Sequence, residues 1–250
     1  MSRAARGLDG PLAHESKIYC KMICMAQQTP SDDLTLRPFA PRRGGAVGTT
    51  LLFGGTFDPV HHGHLITAQA ARELLGAADV LFVPASRSPH KAQARPASGA
   101  DRLEMLRLAI AGVPRFGVSH VEVERGGASY TIDTLHALKA TYPGKNFTLL
   151  MGADQLPKLY TWRNVRQIVR LAELAILARR GGTEAVFSQL REQWTDAEIR
   201  RFRDALLETP GVDISATDIR RRVREGLSID FLTPPKVVDY IKLHGLYEAQ

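Results

Sequence analysis

The residues best suited to chemistry in this sequence lie in one stretch, Leu51-Leu52-Phe53-Gly54-Gly55-Thr56-Phe57-Asp58-Pro59-Val60-His61-His62-Gly63-His64-Leu65. An apolar run of β character ends in two glycines, a short polar turn follows, and an amphipathic helix begins at about His64. Glycines at a strand end let a ligand come close to the backbone, because no Cβ stands in the way. The amides and positive dipole end of the following helix face the same place and favour an anion. His61 and His64 flank Gly63 at that entrance, where two imidazoles can donate hydrogen bonds to phosphate oxygens. The stretch has neither the Gly-Lys-Ser/Thr ending of a P-loop nor the three-glycine spacing of a dinucleotide fingerprint. It reads as a phosphate site of another kind.

The elements that must hold these residues alternate along the chain. Residues 50–53, 80–83, 147–151 and 174–177 are predicted strands, the apolar run at 80–83 being of the kind buried on both faces of a sheet, and 116–123 alternates like a further strand. Helical periodicity covers 64–75, 101–111, 131–141 and 164–171, with Gly76 stopping the first. A long charged helical region is expected over 183–207. It is followed by a short strand near 212–214, a helix opened by Ser215 and a last helix over 234–244. Alternating strands and helices predict an α/β fold, a Rossmann-like doubly wound parallel sheet with helices on both faces, forming a single domain over residues 49–250. Ligands on such sheets sit beyond the carboxyl ends of the strands, where Gly54, Pro84, Gly152 and Arg179 all fall. Residues 1–48 show little periodicity and end in a Pro/Arg/Gly-rich linker, and read as a disordered or mis-started extension, with Met22 or Met25 as alternative starts.

Composition bounds the rest. Hydrophobic residues make up 44% and charged residues 24%, as in an ordinary globular enzyme. The net charge of +7 fits the handling of polyphosphates. The only cysteines, Cys20 and Cys24, lie in the N-terminal segment, which excludes a disulfide scaffold for residues 25–250 and points to a cytoplasmic setting. No stretch is long and apolar enough for a membrane span, and residues 1–25 lack a clear secretory h-region.

The run Gly-Gly-Thr-Phe-Asp-Pro-Val-His-His-Gly-His resembles the signature of the HxGH nucleotidyltransferases, and Ile214-Ser215-Ala216-Thr217-Asp218-Ile219-Arg220 resembles their second motif. The resemblance implies attack of a phosphate monoester on the α-phosphorus of ATP, with His61 and His64 catalytic and no covalent enzyme intermediate. It implies ATP contacts at Gly54, Gly55, Thr56, Phe57, Gly63, Gly152, Asp154, Arg179, Ile214, Ser215, Thr217 and Arg220. Ser215 and Asp218 also have capping-box spacing, so a helix cap is expected there whatever else they do. Acceptor contacts are expected at Asp58, at His90-Lys91 after Pro89, at Ser129-Tyr130-Thr131 and at Trp162-Arg163. The elements Ala128-Ser129-Tyr130-Thr131 and Thr161-Trp162-Arg163 resemble bacterial nicotinate mononucleotide adenylyltransferases, in which Tyr is more usual where this sequence has Arg163. An aromatic face suits a flat pyridinium, and helix-start amides suit its carboxylate.

The partners so implied are ATP and nicotinate mononucleotide, with Mg²⁺ arriving on the triphosphate and no protein metal site. Neither nucleic acid nor membrane is expected, and a homo-oligomer is compatible with this reading. Competing readings are the same chemistry on nicotinamide mononucleotide or phosphopantetheine, and a nucleotide-binding regulator without catalysis. A class I tRNA synthetase would want a Lys-Met-Ser-Lys-Ser-like motif and more chain than is present here.

Overall fold

The structure is a computed structural model and describes residues 48–87, 97–178 and 183–249. Its strands are β1 (Thr50–Gly55), β2 (Asp79–Pro84), β3 (Phe116–Val118), β4 (Phe147–Gly152), β5 (Glu173–Leu177) and β6 (Leu206–Leu207). They form one six-stranded sheet in the order β3-β2-β1-β4-β5-β6, with every neighbouring pair parallel. β2 is buried along its whole length and β4 along all but its last residue, which is why their sequences run continuously apolar instead of alternating.

The helices are α1 (His62–Leu75), α2 (Gly99–Ile110), α3 (Val121–Arg125), α4 (Thr131–Thr141), α5 (Leu156–Leu159), α6 (Val165–Leu171), α7 (Thr183–Ser188), α8 (Asp196–Asp204), α9 (Ala216–Arg224) and α10 (Pro235–Leu243). Register divides them between two faces. Phe53 lies opposite Phe82 and Leu150, and Leu150 opposite Ala175; these residues join a core with Ala68 and Ala71 of α1, Met105 and Leu106 of α2, Ile219 of α9 and Val237 of α10. One residue further on, Met151 lies opposite Ile176, and both pack with Phe187, Leu190, Trp194 and Phe202 from the α7–α8 region. Because successive side chains point to opposite faces of a strand, these are the two faces of one sheet. The doubly wound α/β reading is correct.

Three local expectations need correction. The strand over 116–123 stops at Val118, and 121–125 forms α3; the Val-Glu-Val-Glu alternation imitates a strand, but Glu122 is buried as an acceptor for Thr134 Oγ1 at 2.6 Å. The helical region over 183–207 is broken between α7 and α8, where Thr195 caps α8 through a reciprocal pair with Glu198, and its last residues pair with β5 as β6. Residues 212–214 form no strand. Among the described residues, no helix is long and apolar enough to cross a membrane.

One buried cation joins the sheet to its loops. Arg102 on α2 is only 1% exposed. Its Nε donates to the Ala97 carbonyl at 3.0 Å, and one terminal nitrogen donates to Thr56 at 2.9 Å and Ala85 at 2.7 Å. The other reaches the Ser86 carbonyl at 3.3 Å. The loop after β1 and the loop after β2 are thereby held to the start of α2. Burial lowers the pKa of the guanidinium, and the charge of nearby Asp58 opposes that shift. Replacing the side chain would strand several buried carbonyls and leave Asp58 with Arg220 as its remaining cation. Arg102→Met is expected to cost roughly 3 kcal/mol or more, read as a lowered urea midpoint at unchanged m-value.

Candidate active site

The chain winds from β1 through β2 to β3, then returns to the other side of β1 as β4. A crevice opens at that reversal, beyond the carboxyl ends of β1 and β4. A cavity of about 1130 Å³ lies there, larger than the roughly 300–1,000 Å³ of a usual single-ligand pocket. Gly54, Gly55, Thr56, His61, Gly63 and His64 line one part of it, Gly152 and Asp154 another, and Ile214 and Ser215 a third. Ser129, Tyr130, Thr131, Trp162 and Arg163 complete the wall.

The glycines have separate reasons. A Cβ on Gly54 would meet nothing within 4 Å, so the backbone there is open to a ligand. A Cβ on Gly55 would come within 2.9 Å of the Phe57 ring, and one on Gly63 within 2.9 Å of His61 Nδ1. Gly63 is therefore glycine because the imidazole of His61 occupies the space a side chain would fill.

His61 is the N-cap of α1, with extended backbone. Its ring stacks on His64 with centroids 3.6 Å apart and planes 29° apart. The His61 amide donates to His64 Nδ1 at 3.2 Å. A nitrogen that accepts carries no proton, so this bond selects the His64 tautomer with its proton on Nε2. Phe57 supports the pair from beneath, its ring 5.0 Å from His64 and at 70° to it. The left-handed backbone of Phe57, at φ 51°, is a strained conformation for a bulky residue, held here among Phe53, Phe82 and His64. His61 is 6% exposed, and its Nδ1 has no hydrogen-bond partner among the described residues. Burial first, and then the charge of neighbouring His62, lower its pKa from 6.5 to about 4. At neutral pH His61 is an uncharged imidazole. The amides of His62, His64 and Leu65 already donate to Leu232 and His61 carbonyls, so the helix start offers an anion fewer donors than the sequence implies.

At the other end, Trp162 packs against the second core cluster while lining the cavity, and its buried indole N–H has no hydrogen-bond partner among the described residues. It serves both the core and the cavity wall. Arg163 stacks over the Tyr130 ring at 5.1 Å and lies 3.5 Å from Asp133. Ser129 Oγ accepts from the Ser86 amide at 2.9 Å, which ties the start of α4 to the loop after β2.

Four expected contacts fall behind the wall. Phe57 is core, 2% exposed. Asp58 is 6% exposed and accepts from the Ala97 amide and the Tyr247 hydroxyl. Neither it nor Thr217 and Arg220 lines the cavity. Arg220 donates to the Asp58 carbonyl at 2.7 Å and to Thr217 Oγ1 at 3.3 Å. Ser215 caps α9 through the Asp218 amide at 3.1 Å, while the Asp218 carboxylate turns to Arg221 instead of completing the box. His90, Lys91 and Arg179 lie outside the described residues. Residues not foreseen include Thr67 on α1, Glu122 and the segment from Thr209 to Asp213. The Pro210-Gly211 pair could have marked that segment as a loop, since such dipeptides signal turns. Nothing pointed to Glu122, because its stretch reads as a strand.

A parallel sheet of this order, with a His-x-Gly-His helix entrance at its reversal point, defines a nucleotidyltransferase class of site. The chain belongs to the cytidylyltransferase-like family, whose profile matches residues 52–222. Within it the chain is similar to nicotinate-nucleotide adenylyltransferases. A protein of Thermomicrobium roseum named as a probable enzyme of that kind is 42% identical over 198 residues, covering 79% of this chain and 91% of the relative. One from Herpetosiphon aurantiacus is 41% identical, covering 79% and 98%. Among solved structures, the Plasmodium falciparum nicotinic acid mononucleotide adenylyltransferase complexed with NaAD has a TM-score of 0.62 at 18% identity, covering 80% of this chain and 97% of that one. That likeness shows the fold.

The buried neutral His61 has a consequence for stability. The unfolded chain takes up a proton at this residue near pH 6.5, whereas the folded protein does so only near pH 4. Its contribution is therefore complete above pH 6.5 and is lost as pH falls towards 4, by about 3 kcal/mol in all. Denaturant unfolding of the native chain and of His61→Gln at pH 7 and pH 4.5 measures this. The native chain should lose more stability between the two, and parallel losses would rule the effect out.

Proposed function

We propose that this protein transfers the adenylyl group of ATP to nicotinate mononucleotide, forming nicotinate adenine dinucleotide and pyrophosphate in the cytoplasm. The observation that carries this is one cavity with the stacked His61–His64 pair on one wall and Tyr130, Thr131 and Trp162 on another. Its volume suits two nucleotides better than one.

The acceptor's 5′-phosphate oxygen is already an anion and needs no general base. It attacks the α-phosphorus in line; the bond from that phosphorus to the oxygen bridging to the β-phosphorus breaks, and pyrophosphate leaves with the electron pair. No enzyme group bonds to phosphorus. The work of the protein is then positioning and neutralisation of charge. His64 offers its Nε2–H to the α-phosphate or bridging oxygen, and neutral His61 adds a hydrogen bond without a charge. Open backbone at Gly54 lets the triphosphate lie against the strand end. Arg220, located by the Asp58 main-chain carbonyl, and Thr217 serve the β- and γ-phosphates when ATP binds. Mg²⁺ enters with ATP as part of the substrate. Trp162 stacks on the pyridine ring, and the start of α4 with Arg163 meets its carboxylate.

Pyrophosphate release with ATP and Mg²⁺ tests this, with nicotinate and nicotinamide mononucleotides offered in parallel. The nicotinate form should be strongly preferred; equal use of both would overturn the acceptor assignment. His64→Ala should lower kcat by about 10²–10³-fold, the usual cost of losing one preorganised donor to the transition state. Trp162→Ala should instead raise KM for the mononucleotide by about ten-fold, as expected for a lost stacking platform.

A further inference from the structure

The end of the chain returns to the first motif. Beyond α10, the Leu246 amide donates to the Ile241 carbonyl at 3.0 Å, and Leu246 and Tyr247 pack on the larger core cluster. Tyr247 has left-handed backbone at φ 68°, and its hydroxyl donates to Asp58 Oδ1 at 2.7 Å. The Ala97 amide donates to the same oxygen at 3.0 Å. The other oxygen, Oδ2, lies 3.7 Å from Arg220, whose firm bond is to the Asp58 main-chain carbonyl at 2.7 Å. Burial and the nearby Asp58 charge push the ionisation of Tyr247 far above its ordinary range, so the phenol remains a donor.

A carboxylate facing an arginine tends to take it in a bidentate clasp. Here that clasp is not formed, because Oδ1 is already occupied by two donors and the carboxylate cannot turn both oxygens to Arg220. We propose that Tyr247 is a positioning residue for adenylyl transfer: its hydroxyl fixes the Asp58 carboxylate so that Arg220 is located but not captured, and remains available to the polyphosphate. This rests on the reading of Arg220 as a triphosphate ligand. It gives the C-terminal tail a part in the ATP site although it lies nearly two hundred residues from the first motif (|i−j| = 189 for Tyr247 and Asp58).

The test is steady-state kinetics of Tyr247→Phe, with ATP and nicotinate mononucleotide varied separately, alongside thermal melting. Phenylalanine keeps the ring and removes only the hydroxyl. KM for ATP should rise about ten-fold, while KM for the mononucleotide and kcat change less than about three-fold. The melting temperature should fall by roughly 3–10 °C, the cost of one buried hydrogen bond to a carboxylate, without the kinetic constants scaling together. A large fall in melting temperature with all kinetic constants scaled together assigns the hydroxyl to the fold and overturns the proposal. Arg220→Ala separates the two readings. If it leaves KM for ATP unchanged, the phosphate role of Arg220 fails and the proposal with it. If it raises KM while Tyr247→Phe does not, only the positioning role of Tyr247 fails.

Discussion

The pairing of β1 with β2 on one side and β4 on the other is the constraint on which the rest of the structure depends. It seats Leu51 and Leu52 in a fully hydrogen-bonded, buried strand and brings Gly54 and Gly55 to an end where the chain leaves in opposite directions on either side. A crevice is left between those departures, because among the described residues neither connection crosses it. The aromatic floor follows from the same register. Phe53 lies opposite Phe82, and Phe57 turns back under Gly55 to touch both rings and carry His64. A sheet ladder thus fixes the height at which two imidazoles stand above the site.

Holding the loops on that frame falls to polar groups that are nearly dry. Arg102 is satisfied mainly by main-chain carbonyls, with its charge answered by Asp58 nearby. Isolated buried charge is costly, and a guanidinium that ties two loops and meets a carboxylate offsets that cost only when its donors are nearly all used. Asp58 is the common member, since it also receives Ala97 and Tyr247 and stands beside Arg220. Two cations, one carboxylate and one phenol therefore link both motifs, α2 and the C-terminal tail. Disturbing any one of them changes the electrostatics felt by the others, so substitutions here should couple instead of adding.

The strand ends and the first helix were legible in the sequence because short-range rules decide them. Apolar runs mark buried strands, Gly76 closes α1 in left-handed conformation, and Ser215 caps α9. Cavity placement of Gly54, His61, His64, Tyr130 and Trp162 followed from the motifs. What the sequence did not show depended on long-range partners. Glu122 belongs to a helix because Thr134 takes its carboxylate, and residues 206–207 became a strand because β5 offered an open edge. Asp58 looked like a ligand because it sits within the motif, yet its partners at Ala97, Arg220 and Tyr247 are 39, 162 and 189 residues away. Periodicity carries no information about contacts at that separation.

Arg163 shows how a departure from the usual sequence alters the acceptor end. A tyrosine there would offer an aromatic edge and one hydroxyl, whereas Arg163 brings a cation stacked on Tyr130. The charge is partly answered by Asp133 at 3.5 Å, but both side chains are exposed enough for solvent to screen that pair. If the acceptor carboxylate sits here as proposed, the remaining positive field favours it over a carboxamide. Because it acts across solvent, it weakens as ionic strength rises and the Debye length shrinks towards about 8 Å at physiological salt. Donors at the start of α4 would act at contact distance on the proposed carboxylate and be screened less. On the proposed acceptor, discrimination between acid and amide would have a salt-sensitive part at Arg163 and a salt-insensitive part at Thr131, whereas a tyrosine at position 163 would leave only the second.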